Sequence, residues 1–156
     1  MDTESRTDDK KFPAVKVKNF SHIGIHVSDM DRSLEFYRQL IGFSPFLDIE
    51  FEDPGLDSVL SERNSRARIV KGMIGELTLE LIQTLHKPRP TRDMQTVHVG
   101  ELSVTIHTDD LESAFNGCQA IGAEIVCPIV EIGGTRVFIV ADPDGNKIEF
   151  GDVETQ

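Results

Sequence analysis

The stretch that decides the fold is Phe20-Ser-His-Ile-Gly-Ile-His-Val-Ser-Asp-Met-Asp31, because its pattern returns as Leu102-Ser-Val-Thr-Ile-His-Thr-Asp-Asp-Leu111. In both stretches a segment with alternating faces leads into an aspartate at the start of a helix. Each helix is expected to end at a glycine, Gly42 in the first copy and Gly122 in the second. This repeat of a whole set of elements indicates two copies of one structural module.

Each copy is predicted to contain one helix and four strands, in the order strand, helix and three strands. In the first copy the strands are predicted at 22–27, 46–51, 66–74 and 77–83, with a loop at Pro54-Gly55. In the second copy they are predicted at 101–108, 125–132, 135–140 and 147–150. The first helix is capped by Ser28 or Asp29 and the second by Asp109 or Asp110.

The last strand of each copy carries a single carboxylate between apolar neighbours, Glu80 in the first and Glu149 in the second. Because side chains alternate along a strand, each glutamate points away from the apolar side chains beside it. An isolated glutamate of this kind can simply lie on a solvated sheet face. Its recurrence at the same place in both copies favours a functional role.

The domain organisation follows from the repeat. We predict a disordered polar arm at 1–19, a first module at 20–85, a linker at 86–100 and a second module at 101–153. Neither module could bury its open sheet face alone. The two are therefore expected to pack together, or each to pair with a module of another chain.

Composition narrows the classes of partner. A net charge of -11 over 156 residues argues against nucleic acid and against an anionic membrane surface, both of which need a basic face. No apolar run approaches the roughly 20 residues of a spanning helix, and the N-terminus lacks the apolar centre of a signal peptide. Cys118 and Cys127 form neither a metal motif nor a disulfide framework. A cytoplasmic protein with a small-molecule substrate is the expectation.

Three motifs identify a known family. They are His22-Ile-Gly-Ile, the Asp29-capped helix with Phe36-Tyr37, and the ending Gly133-Gly134…Asp142-Pro-Asp-Gly-Asn146…Ile148-Glu149. Over about residues 20–153 the chain resembles the vicinal oxygen chelate superfamily, which includes glyoxalase I, methylmalonyl-CoA epimerase, extradiol dioxygenases and bleomycin- or fosfomycin-resistance proteins. The resemblance implies an α+β fold in which two tandem βαβββ modules form an open barrel-like cleft. It also implies a homodimer.

The resemblance further implies a divalent metal ion (Zn, Mn, Co, Ni or Fe) held by one residue from the first and one from the last strand of each module. By position these residues are His22, Glu80, Ser103 and Glu149. A serine hydroxyl is a poor ligand, so the implied metal set is His22, Glu80 and Glu149. The alternative is a metal-free cleft, in which the two glutamates repel, one has a raised pKa, and both serve as catalytic acid–base groups.

A second matched pair lies on the same strand faces. His26 and His107 each follow the implied ligand position by four residues, so alternation returns them to the face of His22 or Ser103. Together with Ser103 they are candidates for substrate binding. The competing interpretation is that both histidines are polar residues satisfied by neighbouring strands.

These observations favour a small metal-dependent lyase or isomerase of the glyoxalase or epimerase type. In such an enzyme a proton moves next to a carbonyl, through an enolate or enediolate, with Glu80 or Glu149 as catalytic group. Two alternatives stay open. One is a resistance-type protein that sequesters a drug without turnover, and the other is a metal-free isomerase or cyclase that uses the two glutamates directly.

Overall fold

The computed structural model describes residues 17–90 and 97–152, and these residues form eight strands and three helices. In chain order the elements are β1 (Ile23–Val27), α1 (Met30–Ile41), β2 (Ser44–Glu52), α2 (Pro54–Leu60), β3 (Arg66–Ile74), β4 (Leu77–Thr84), β5 (Val104–Thr108), α3 (Leu111–Ala120), β6 (Glu124–Ile132), β7 (Thr135–Ala141) and β8 (Lys147–Asp152). Most of the predicted arm at 1–19 and the centre of the predicted linker lie outside the described residues.

The strands form two four-stranded sheets with the same internal order. Sheet A has the order β1-β4-β3-β2 and sheet B the order β5-β8-β7-β6. In each sheet the first and last strands of the module pair in parallel, and the remaining pairs are antiparallel. The predicted α+β fold of two tandem modules is therefore confirmed.

The two main helices begin and end at the residues that the sequence favours. Asp29 caps α1 by accepting a hydrogen bond from the Arg32 backbone N–H at 3.0 Å, and Asp110 caps α3 in the same way. Gly42 ends α1 with a φ of 65°, a left-handed conformation that glycine adopts without strain. The capping alternatives at Ser28 and Asp109 are thus not used.

Two local predictions were wrong in detail. Pro54-Gly55 opens the short helix α2 instead of a loop, because Pro54 suits a first helical turn and the Asp53 carboxylate accepts from the Gly55 N–H at 2.6 Å. The strand predicted from residue 101 begins at Val104. Ser103 consequently lies just outside its strand, as His22 lies just outside β1.

One hydrophobic core joins the two modules. Buried side chains from both belong to a single cluster, which includes Tyr37 and Leu81 of the first module and Phe138 and Phe150 of the second. The Tyr37 hydroxyl also donates a hydrogen bond to the buried Asp142 carboxylate at 2.9 Å. The modules therefore pack against each other within one chain. No helix among residues 17–90 and 97–152 is long and apolar enough to span a membrane.

Candidate functional site

The site is built on the face of sheet A that points away from α1. Leu79 and Leu81 of β4 are buried in the core with α1, so Glu80 between them points to the opposite face, which we call the open face. Paired residues on neighbouring strands share a face. The register of β4 with β1 and β3 therefore places Gly24 and Lys71 beside Glu80.

Glu80 is held by two cationic or potentially cationic side chains. Lys71 Nζ lies 2.8 Å from Glu80 Oε2, and His22 Nε2 lies 3.6 Å from Glu80 Oε1. Glu80 is only 8% exposed. A Cβ on Gly24 would lie 3.8 Å from Glu80 Oε1, so the missing side chain leaves space next to this oxygen. The result is a nearly buried carboxylate that is ion-paired on one oxygen and approachable at the other.

The equivalent glutamate of the second module has different neighbours. Glu149 pairs with Thr105 on β5 and with Ile139 on β7. The Thr105 hydroxyl donates a hydrogen bond to Glu149 Oε1 at 2.9 Å. Ile139 thus stands where the first module has Lys71, and Glu149 has a neutral donor in place of an ion pair. The metal-free alternative predicted two glutamates without partners that repel each other, but Glu80 has partners in Lys71 and His22.

The implied metal ligands are only partly brought together. His22 and Glu80 are close, but among residues 17–90 and 97–152 no three histidine, cysteine, aspartate or glutamate side chains are grouped so that they could hold a metal ion. Ser103 is an exposed residue ahead of β5. The Lys71 ammonium occupies one oxygen of Glu80, where a cation would bind. These donors do not fit a divalent ion held by His22, Glu80 and Glu149 together.

The histidines expected to bind substrate lie on the open faces. His26 lies on β1 with its imidazole partly desolvated, and it lines a cleft of about 280 Å³ between β1, the segment ahead of β5 and the β7–β8 turn. Burial of the imidazole, followed by the charge of Arg89, lowers the pKa of His26, while Glu80 opposes this shift. His26 is therefore neutral at pH 7. His107 is exposed on β5, and its ring lies near Gly151.

Two residues of this region were missed in the sequence. Lys71 is one of several basic residues in β3, and only the strand register shows that it lies beside Glu80. Arg89 lines the cleft from the predicted linker and is fixed by Glu62, whose Oε1 lies 2.6 Å from Arg89 Nη1. Lys87 and then Arg89 and His86 lower the pKa of Glu62 to about 2. No sequence pattern connects Glu62 with these residues, which lie about 25 positions away.

Sequence comparison gives a family and one distant relative. Residues 19–150 match the family model of the Glyoxalase/Bleomycin resistance protein/Dioxygenase superfamily. The trivalent organoarsenical cleaving enzyme of Bacillus sp. (strain MD1) is 24% identical over 141 residues, which cover 84% of this chain and 71% of that enzyme.

Solved structures agree in fold. A glyoxalase family protein from Bacillus cereus superposes with a TM-score of 0.74 at 20% identity, covering 90% of this chain and 97% of that one. A mutant of the fosfomycin resistance protein FosX from Listeria monocytogenes, solved with Mn(II) and 1S,2S-dihydroxypropylphosphonic acid, superposes with a TM-score of 0.58 at 16% identity. Here 86% of this chain and 91% of that chain are covered. Likeness at these identities establishes the fold alone.

Proposed function

The chain belongs to the Glyoxalase/Bleomycin resistance protein/Dioxygenase superfamily, and we propose that it is a small lyase or isomerase that moves a proton at a carbon next to a carbonyl group. The observation that carries the proposal is Glu80, a nearly buried carboxylate that is fixed by Lys71 and His22 and faces away from the core. A positioned carboxylate in a partly desolvated place is the equipment that proton transfer from carbon requires.

In the proposed reaction the substrate binds on the open face of sheet A, where its carbonyl group lies next to Glu80, and part of it extends past His26 into the adjoining cleft. Glu80 Oε1, which Gly24 leaves accessible, accepts the proton from the neighbouring carbon. The electron pair of the broken C–H bond moves onto the carbonyl oxygen and gives an enolate or enediolate. Return of a proton to the other face or to the adjacent carbon gives an epimer or an isomer, and loss of a neighbouring group gives elimination.

The other candidate residues take supporting roles in this proposal. Glu149, which accepts a hydrogen bond from Thr105, is the second acid–base group: as a carboxylic acid it would give its own proton to the opposite face of the enolate, while the abstracted proton stays on Glu80. His26 is neutral at pH 7 and can both donate and accept a hydrogen bond from the substrate. Ser103 and His107 lie on exposed positions of the second module and contact the part of the substrate farther from Glu80. Because both modules would then offer hydrogen-bonding side chains to the substrate, the proposal favours a molecule with several oxygen atoms.

Exchange of carbon-bound hydrogen tests the proposal without knowledge of the natural substrate. EDTA-treated protein is incubated in D₂O with pyruvate, dihydroxyacetone and a branched acyl thioester, and loss of each α-proton signal is followed by ¹H NMR. We expect exchange with at least one compound above the protein-free rate. Glu80→Gln is expected to lower that rate about 100-fold or more, because positioned general bases contribute on that order.

Glu76→Gln is the matched control, since Glu76 is exposed in the turn of the same β3–β4 hairpin. Its exchange rate is expected to equal that of the wild type. Equal rates for wild type and Glu80→Gln would contradict the proposal. Binding of these compounds without any exchange would instead support a sequestering protein of the resistance type.

The substrate of the organoarsenical cleaving enzyme is not favoured for this chain. Soft ions such as trivalent arsenic prefer thiolates. Cys118 lies on the buried face of α3, whereas Cys127 on β6 pairs with Ile139 and so shares a sheet face with Glu149. Burial also raises the pKa of the Cys118 thiol. The two thiols therefore cannot hold one arsenic atom together.

A further inference from the structure

The Lys71 ammonium forms a close ion pair with Glu80. Lys71 and Glu80 are directly opposite each other on β3 and β4, and Nζ lies 2.8 Å from Oε2. Lys71 is 27% exposed in its side chain and Glu80 10%, so the pair is largely removed from solvent. An ion pair of this kind is screened less than one at the surface.

The second module supplies an internal comparison. Glu149 occupies the place of Glu80 in that module, but its partner across the strands is Ile139. The ammonium is therefore not a requirement of the fold, because the same strand arrangement forms without it. Lys71 is a specific feature of the first module.

We propose that the Lys71 ammonium is the resident cation of this site, that it takes the place of a divalent metal ion at Glu80, and that it binds an anionic oxygen of the substrate. An ammonium has three N–H donors, and within residues 17–90 and 97–152 Glu80 is the one partner recorded for it. Two donors are left for a ligand. A divalent ion at Glu80 would instead meet the positive charge of Lys71 at close range.

The arrangement suits the proposed proton transfer, on which this inference rests. When Glu80 accepts a proton, the negative charge leaves its carboxylate and appears on the substrate oxygen. An ammonium within reach of both oxygens stabilises the charge before and after the transfer. The substrate class is then a carbonyl compound whose enolate oxygen lies beside Lys71, most simply a 2-oxoacid or a hydroxyketone.

The first test measures metal binding directly. EDTA-treated wild type, Lys71→Met and the control Lys18→Met are titrated with Co²⁺ by calorimetry and visible absorption. Lys18 is exposed before β1 and serves as a change of equal chemistry outside the site. We expect wild type and Lys18→Met to bind Co²⁺ weakly, and Lys71→Met to bind it about tenfold or more tightly through the freed Glu80 and His22. Stoichiometric tight binding by the wild type, lost in His22→Ala, would overturn the proposal.

The second test measures the anion site with oxalate, a planar dianion that resembles an enolate. Lys71→Met is expected to lower oxalate affinity about tenfold or more, and Lys71→Arg to retain most of it because the charge is kept. Equal affinity of wild type and Lys71→Met would overturn the proposal. Lys71→Arg also covers the case in which Lys71→Met does not fold.

The two proposals can fail separately. Exchange of carbon-bound hydrogen that requires added metal would overturn the role of Lys71 and leave proton transfer intact. If Co²⁺ and oxalate bind as expected but no compound exchanges its carbon-bound hydrogen, Lys71 remains the anion-binding cation and the enzymatic function is contradicted.

Discussion

The two glutamates that the repeat singles out differ because of single residues around them. Lys71 lies opposite Glu80, whereas Ile139 lies opposite Glu149. One carboxylate is consequently ion-paired and the other is hydrogen-bonded to Thr105. The two similar modules thus differ chemically at this one strand position.

Titration of the Tyr37 hydroxyl can show directly whether this side chain is buried. Burial, followed by the nearby Asp142 charge, raises the pKa of Tyr37 far above its ordinary value of 10.0. The folded state therefore favours the neutral phenol, and its contribution to stability is present below pH 10 and is lost as the pH rises further. Tyr37 is the single tyrosine and tryptophan is absent, so tyrosinate absorbance reports this group alone.

We expect the native protein to show no tyrosinate absorbance at pH 10, and the signal to appear only together with loss of the helical circular dichroism signal. In urea the same group should titrate at about pH 10. A midpoint near 10 in the folded protein would contradict a buried hydroxyl.

At the scale of elements, the approach of β2 to β3 depends on a missing side chain. Gly72 on β3 is buried, and a Cβ there would lie 2.5 Å from Phe43 Cε2 and 2.6 Å from the Ser44 carbonyl oxygen. The backbone oxygen cannot move without shifting β2. This strand pair therefore tolerates only glycine at position 72 without rearrangement.

Gly72→Ala is expected to lower the free energy of unfolding by about 1–3 kcal/mol because it overpacks this contact. Gly117 in α3 has nothing within 4 Å of an added Cβ, and Gly117→Ala should stabilise by about 0.5–1 kcal/mol through helix propensity. Urea unfolding followed by circular dichroism measures both. A Gly72→Ala protein as stable as wild type would contradict the close packing.

At the scale of the whole molecule, the modules are joined by the core and by polar contacts to the β7–β8 turn. Asp144 accepts hydrogen bonds from the Ser28 backbone N–H at 2.8 Å and from Arg32 Nη2 at 2.9 Å, and its side chain is 8% exposed. Asp142, two residues before Asp144, accepts a hydrogen bond from the Tyr37 hydroxyl of the first module. The start of α1 and the turn of the other module are therefore one packed unit.

We expect thermal unfolding in a single transition whose calorimetric and van't Hoff enthalpies agree. Asp144→Ala should lower stability by about 1–3 kcal/mol, since it removes the hydrogen bonds that a charged acceptor makes with Ser28 and Arg32 of the other module, while the transition stays single. Asp109→Ala, at an exposed position of the same module, should change stability by less than about 0.5 kcal/mol. Two separate transitions in the wild type would show that the modules unfold independently.

The fold was readable from the sequence because its signals are local. Alternation, aspartate caps and helix-ending glycines act over a few residues, and their repetition identified both modules and the superfamily. α2 was not readable, since seven residues are too few to show helical periodicity. The start of β5 was also placed too early, because the residues before Val104 continue an alternating pattern without pairing.

The sequence by itself determined the duplication, the two sheets and the identity of Glu80 and Glu149 as the carboxylates that stand apart from the core. Only the tertiary structure decided which charged side chains lie beside these two carboxylates. Lys71 and Glu80 are nine positions apart, His22 and Glu80 are 58 apart, and each pair is brought together by strand register and chain reversal. Such contacts depend on how strands pair across the sheet, and no periodicity along the chain encodes that pairing.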